Sequence, residues 1–175
     1  VFNFQGTVKH GIVGTKGMLI SDLDVNYTNN TRKDGYSVIY LKTDSTAQNL
    51  NIKLDTSSAI ERAGAYAIAS EGDGNIIKGV INIKGIGSFD RGIYGSFDLD
   101  KATMNIAADY AISSGTYNLK ESQINFIGSI LDVAYANVNI LDQNSGLLFA
   151  DSNVVFHLST ITCAQGAKIY LENNV

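Results

Sequence analysis

Six times along the chain an asparagine stands beside alternating apolar residues: Leu23-Asp24-Val25-Asn26-Tyr27, Leu50-Asn51-Ile52-Lys53-Leu54, Ile81-Asn82-Ile83, Met104-Asn105-Ile106, Ile124-Asn125-Phe126 and Val138-Asn139-Ile140. Alternation of this kind is the period-2 signature of a strand with one buried face. The asparagines, at 26, 51, 82, 105, 125 and 139, are 25, 31, 23, 20 and 14 residues apart. Most of these intervals fall in the range of architectures that stack one supersecondary unit per period.

A second element follows the first four of these strands: Gly35-Tyr36-Ser37-Val38-Ile39, Gly64-Ala65-Tyr66-Ala67-Ile68, Gly92-Ile93-Tyr94-Gly95-Ser96 and Ala108-Asp109-Tyr110-Ala111-Ile112. Two strand types in fixed order describe a coil with at least two faces, in which like residues stack on like. The stretch from Asn75 to Asp100 reads as one winding. Val80, Asn82 and Lys84 face one way and Ile81, Ile83 and Gly85 the other, and GSFD then occurs twice, at 87–90 and 95–98, as though the chain re-entered one local conformation. Coils of roughly 20 to 28 residues give about seven turns and a rod of about 35 Å. The expected fold is all-β, a parallel β-helix or solenoid, with a β-sandwich as the alternative because alternating strands also build sandwiches.

Composition agrees with a chain that is paired almost throughout. Its 175 residues contain no proline, where average usage near 5% gives about nine, and proline cannot donate to a strand ladder. The length suits one domain, residues 1–175, with an irregular or capping start over 1–17, rich in glycine turns, and repetitive coils over 18–171. Ile60, Ala63, Gly64, Ala67 and Ile68 also fit helical spacing, although Gly64 disfavours a helix there and the likeness to DYAISS favours a strand. With no apolar run of 18 residues, membrane insertion is not expected. The net charge of −4 offers no general attraction for nucleic acid.

Chemistry is sparse. The sequence has no HExxH, GxSxG, phosphate-binding loop or paired cysteines, so no catalytic residue, metal ligand or cofactor is expected. Cys163, in an apolar strand-like setting, reads as a buried packing residue. His10, among glycines, reads as an exposed turn residue, and His157 as a strand residue lining a face. Asp22-Leu23-Asp24-Val25-Asn26 imitates the start of a calcium loop but has Tyr27 where the glycine belongs and Lys33 where the bidentate glutamate belongs, so it reads as a strand edge. Glu71-Gly72-Asp73-Gly74-Asn75 reads as a turn between coils. Asp90, Asp98 and Asp100 are the carboxylates from which a glycosidase-like pair could be drawn. Asn26-Tyr27-Thr28 and Asn29-Asn30-Thr31 are glycosylation sequons, meaningful only in a eukaryotic secretory host. Tyr36, Tyr66, Tyr94 and Tyr110 are the candidate surface contacts, since tyrosine offers rigid amphipathic area; the competing reading is that they stack along the rod.

The asparagine strands, the GSFD and tyrosine turns, the abundance of Gly, Asn and Ser and the scarcity of Cys, Trp and Pro resemble the β-helical passenger domains of bacterial autotransporters and related secreted surface adhesins. The resemblance spans about residues 18–171 and is compositional. It implies a right-handed parallel β-helix, display at the cell surface, and non-catalytic adhesion or cell–cell aggregation. The implied partner is a host surface protein or glycan. Two alternatives stand beside it: a self-assembling subunit of an extracellular filament or layer, joined to other copies through open strand edges, and a polysaccharide-active β-helix enzyme, suggested by fold analogy alone.

Overall fold

The computed structural model describes the chain except for residues 7, 30–35, 58–64, 88, 129, 151–152 and 173–175. Among the described residues there are sixteen strands and no helix, and every strand pairing is parallel. This is a β-solenoid, and the sandwich alternative falls with it.

Each coil passes through three sheet faces. The first is built from β2 (His10–Gly14), β4 (Ser37–Leu41), β6 (Tyr66–Ser70), β8 (Arg91–Tyr94), the leading halves of β10 (Tyr110–Lys120) and β12 (Ile130–Ile140), and β14 (Asn153–His157). The second takes the leading halves of β3 (Leu19–Asn29), β5 (Thr46–Asp55), β7 (Ile76–Gly85) and β9 (Phe97–Ala107), the trailing halves of β10 and β12, and β15 (Thr160–Cys163). The third runs from β1 (Phe2–Gly6) through the trailing halves of β3, β5, β7 and β9 to β11 (Gln123–Ile127), β13 (Gly146–Ala150) and β16 (Lys168–Glu172). The first 17 residues thus already supply β1 and β2 to the stack.

One inward column shows the winding: Phe2, Val25, Ile52, Ile83, Ile106, Phe126, Phe149 and Leu171 are successive register partners. Seven steps of 20 to 31 residues separate them, which at about 4.8 Å each makes a stack about 34 Å high. Asn75 to Asp100 is one such winding, since Ile76 is in register with Asp98. Its strand alternates as expected: Ile81 and Ile83 are buried, while Val80, Asn82 and Lys84 are exposed. Aromatic rings stack in the interior, Phe126 on Phe149 at 4.9 Å and Phe97 on Tyr117 at 6.1 Å.

On the first face two consecutive residues are buried in each of four coils: Val38-Ile39, Ala67-Ile68, Gly92-Ile93 and Ala111-Ile112. In the last three pairs the small member, Ala67, Gly92 or Ala111, keeps the wall thin. A Cβ on Gly92 would lie 2.2 Å from the Ala111 carbonyl oxygen, so only glycine fits. Tyr66–Ser70 is strand, as the likeness to DYAISS suggested; the remainder of the alternative helical stretch, 60–64, lies outside the described residues.

The aspartates of the two GSFD segments are placed differently. Asp90 of the first is wholly buried and accepts hydrogen bonds from the Gly87 and Ile86 amides, at 2.6 and 3.1 Å, and from the Thr56 amide and hydroxyl. Asp98 of the second is exposed and accepts from Asn118. The first pins a turn to the coil below; the second begins a surface row.

Cys163 is exposed, contrary to its expected burial. Its column is the buried one, Leu119 then Ile140 then Cys163, but it belongs to the last described coil, where no further coil covers it. Phe156, following Val133, and Leu171, following Phe149, are 41% and 65% exposed for the same reason. His10 is likewise no turn residue: it is a half-buried member of β2.

Candidate functional site: the lateral face

Outward asparagines of the third face form a continuous row. Asn51 donates to Asp24, Asn82 to Asn51, Asn105 to Asn82 and Asn125 to Asn105, each Nδ2 to Oδ1 at 2.7 Å. A second row on the second face runs from Asp98 through Asn118 to Asn139, at 2.8 and 2.9 Å. Both rows start on an aspartate, which as a carboxylate accepts and cannot donate. That fixes their polarity, every amide donating toward the aspartate end. At the other end of the longer row, Asn125 Oδ1 is buried without a donor because Leu148 is its register partner in the next coil.

Register corrects the sequence alignment here. Asp24, not Asn26, is in line with Asn51, while Asn26 donates to Asn3 at 2.9 Å. Asn139 belongs with Asn118 on another face, which explains the odd 14-residue interval. The calcium-loop imitation is part of this strand: Asp22 lies at a bend with φ 56° and accepts from Asn49, and Asp24 begins the row. Its later positions, 30–33, fall outside the described residues, as does part of the second sequon. Glu71 to Asn75 is a turn, with Gly72 and Gly74 at φ 85° and 75°, and Asn75 is folded inward to accept from the Ser45 amide.

The four candidate tyrosines do not form one column. In register, Ser37, Tyr66, Arg91 and Tyr110 follow one another, and three residues along each strand so do Tyr40, Ala69, Tyr94 and Ser113. Tyr36 precedes its strand and is half-buried against the core. Tyr66 is buried, Tyr110 half-buried and Tyr94 exposed. An arginine lies between Tyr66 and Tyr110: the Arg91 guanidinium lies 5.0 Å from the Tyr66 ring centre and 5.6 Å from that of Tyr110, and Arg91 also donates to the Tyr66 hydroxyl.

Around them lies a recess of about 670 Å³ on the first face, lined by Lys9, His10, Tyr40, Tyr66, Ala69, Ser70, Glu71, Arg91 and Tyr94. The His10 and Tyr40 rings stack at 4.4 Å, and those of Tyr66 and Tyr94 meet at 4.9 Å with a 44° tilt. His10 Nδ1 is 2.8 Å from the Ser37 hydroxyl, and burial, then the charge of Lys9, holds its pKa below the usual histidine value. The Tyr40 hydroxyl donates to Glu71 Oε2 at 2.6 Å. Burial first, then that hydrogen bond and the Glu71 charge, push the Tyr40 phenol up to about 12. Tyr40, His10 and Arg91 were missed in the sequence because their kinship is visible only once the coils are in register.

The carboxylates considered for acid–base chemistry are each engaged separately. Asp90 is buried among its donors, and burial pushes its carboxyl up while those hydrogen bonds pull it down. Asp98 begins an amide row, and Asp100 pairs with Lys78 at 3.2 Å. His157 is exposed on β14 and pairs with Asp132 at 3.5 Å, as a residue lining a face. Among the described residues, no group of three or more His, Cys, Asp or Glu is placed to hold a metal ion, and no helix is long and apolar enough to cross a membrane. The fold and face together define a β-solenoid with a patterned lateral surface. Compared with known proteins, the chain matches no family model and no curated relative.

Proposed function

We propose that the chain is a non-catalytic segment of an extracellular surface protein, a β-solenoid rod that adheres to a surface or to neighbouring cells through its lateral face. The observation that carries this reading is where the polar side chains are used. Asparagine and aspartate are tied coil to coil in long rows, and the polar and aromatic groups left to face outward line an open recess along the side of the rod. An array of this kind suits contact with an extended partner. The test is adhesion: beads coated with the purified chain are expected to bind cells or to clump with one another, and beads that do neither, while the chain remains folded by circular dichroism, would contradict it.

A second reading, assembly of copies end to end, is favoured by the apolar columns of the last described coil, where Phe156, Leu171 and Cys163 are exposed. Open coil ends pair readily with further strands. Electron microscopy over a dilution series separates the two readings. Rods much longer than about 34 Å that shorten on dilution would place function at the ends, and compact particles at every concentration would leave it on the lateral face.

A further inference from the structure

We propose that the recess on the first face binds an acidic oligosaccharide lying along the rod axis. The inference rests on the lateral face being the working surface, and it names the ligand class for that face. Tyr40 and Tyr94 occupy the same outward column two coils apart, about 9.6 Å at 4.8 Å per coil, with Ala69 between them in register; the Tyr40 ring rests against His10 and the Tyr94 ring against Tyr66. Both rings and Ala69 line the recess.

A pyranose has two kinds of surface, a C–H face that packs on the electron-rich face of an aromatic ring and a rim of hydroxyls that needs donors and acceptors. Tyr94, with its exposed ring, offers the first. Arg91, Glu71 and the Tyr40 hydroxyl offer the second. Arg91 is held between the Tyr66 and Tyr110 rings, so its planar fork is ordered before a ligand arrives, which lowers the cost of gripping a carboxylate. The cations Lys9 and Arg91 face a single carboxylate, Glu71, already engaged by Tyr40, and this gives the recess a cationic bias on a chain of net charge −4. Over β4, β6 and β8 a peptide cannot add as a strand, because these are paired on both sides; among the strands that line the recess only β2, at its Lys9 and His10 end, has an unpaired side.

The test is calorimetric titration of the whole chain with a hexasaccharide of alternating uronate and hexosamine, and with cellohexaose as the neutral control of equal length. The acidic sugar is expected to bind about tenfold more tightly than the neutral one. Tyr94→Ala, a change at an exposed ring, and Arg91→Gln are each expected to weaken it about tenfold, while Lys84→Ala on the third face leaves it unchanged. Retained affinity in Tyr94→Ala, or no binding of either sugar, would overturn the site even if coated beads still adhere. Equal binding of the two sugars would overturn the assignment of charge.

Discussion

Asp90 shows what one side chain can do in a stack of coils. Its carboxylate is fully buried and takes hydrogen bonds from the amides of Thr56, Ile86 and Gly87 as well as the Thr56 hydroxyl, so it closes the turn after β7 onto the coil below. Asp90→Ala would strand those donors. Leaving buried donors unpaired costs about 1–3 kcal/mol each, and the loss expected in denaturant unfolding is about 3 kcal/mol or more. An effect below about 0.5 kcal/mol, the size typical of a surface change, would show that the turn is held some other way. Tyr40 carries a prediction at the alkaline end. Its phenol ionises near 10 when unfolded but is pushed up to about 12 in the fold, so the stability it contributes is intact below pH 10 and is lost as pH rises through 12. Thermal unfolding followed between pH 9 and 12 should show a steeper decline in the parent chain than in Tyr40→Phe; parallel declines would contradict it.

At the scale of the element, the amide rows have a direction, and direction can be tested with one chemistry. Asp24 only accepts, whereas Asn82 both accepts from Asn105 and donates to Asn51. Asp24→Asn keeps the acceptor oxygen and should change stability by less than about 0.5 kcal/mol. Asn82→Asp removes the donor and sets a carboxylate against the Asn51 oxygen, at a cost of about 1–3 kcal/mol. Equal effects at the two positions would show that the row has no fixed polarity. Much of this was legible beforehand: the strands, the inward Ile81 and Ile83, the coil count and the turn at Glu71 to Asn75 all follow from alternation and turn chemistry. Register was not legible, because coils differ in length by up to eleven residues and apolar-Asn-apolar triplets occur on two faces. The bends were half legible. Asp22, Asn49 and Gly79 are residues that accept positive φ, but Lys101 and Glu121 adopt it too, at 53° and 49°, with no local signal. The recess was the least legible part, since His10 comes from β2, Tyr40 from β4, Tyr66 from β6 and Arg91 and Tyr94 from β8, and only stacking brings them together.

For the whole molecule, the stack explains why burial depends on position along the axis as much as on residue type. Cys163 and Leu171 continue columns that are dry through the middle of the stack, yet both are exposed in the last described coil. Native-state hydrogen exchange should accordingly be slowest in the central strands β5, β7 and β9 and faster in β15 and β16, because opening the last coil uncovers one neighbour rather than two. The most direct test of the stacked arrangement is a spin-label distance between Lys53 and Glu172, each replaced by cysteine in a Cys163→Ser background. Both side chains are exposed on the third face, five coil steps apart. The solenoid predicts a single narrow distribution near about 24 Å, five spacings of about 4.8 Å. A broad distribution, or a mean beyond about 35 Å, more than seven such spacings, would contradict it.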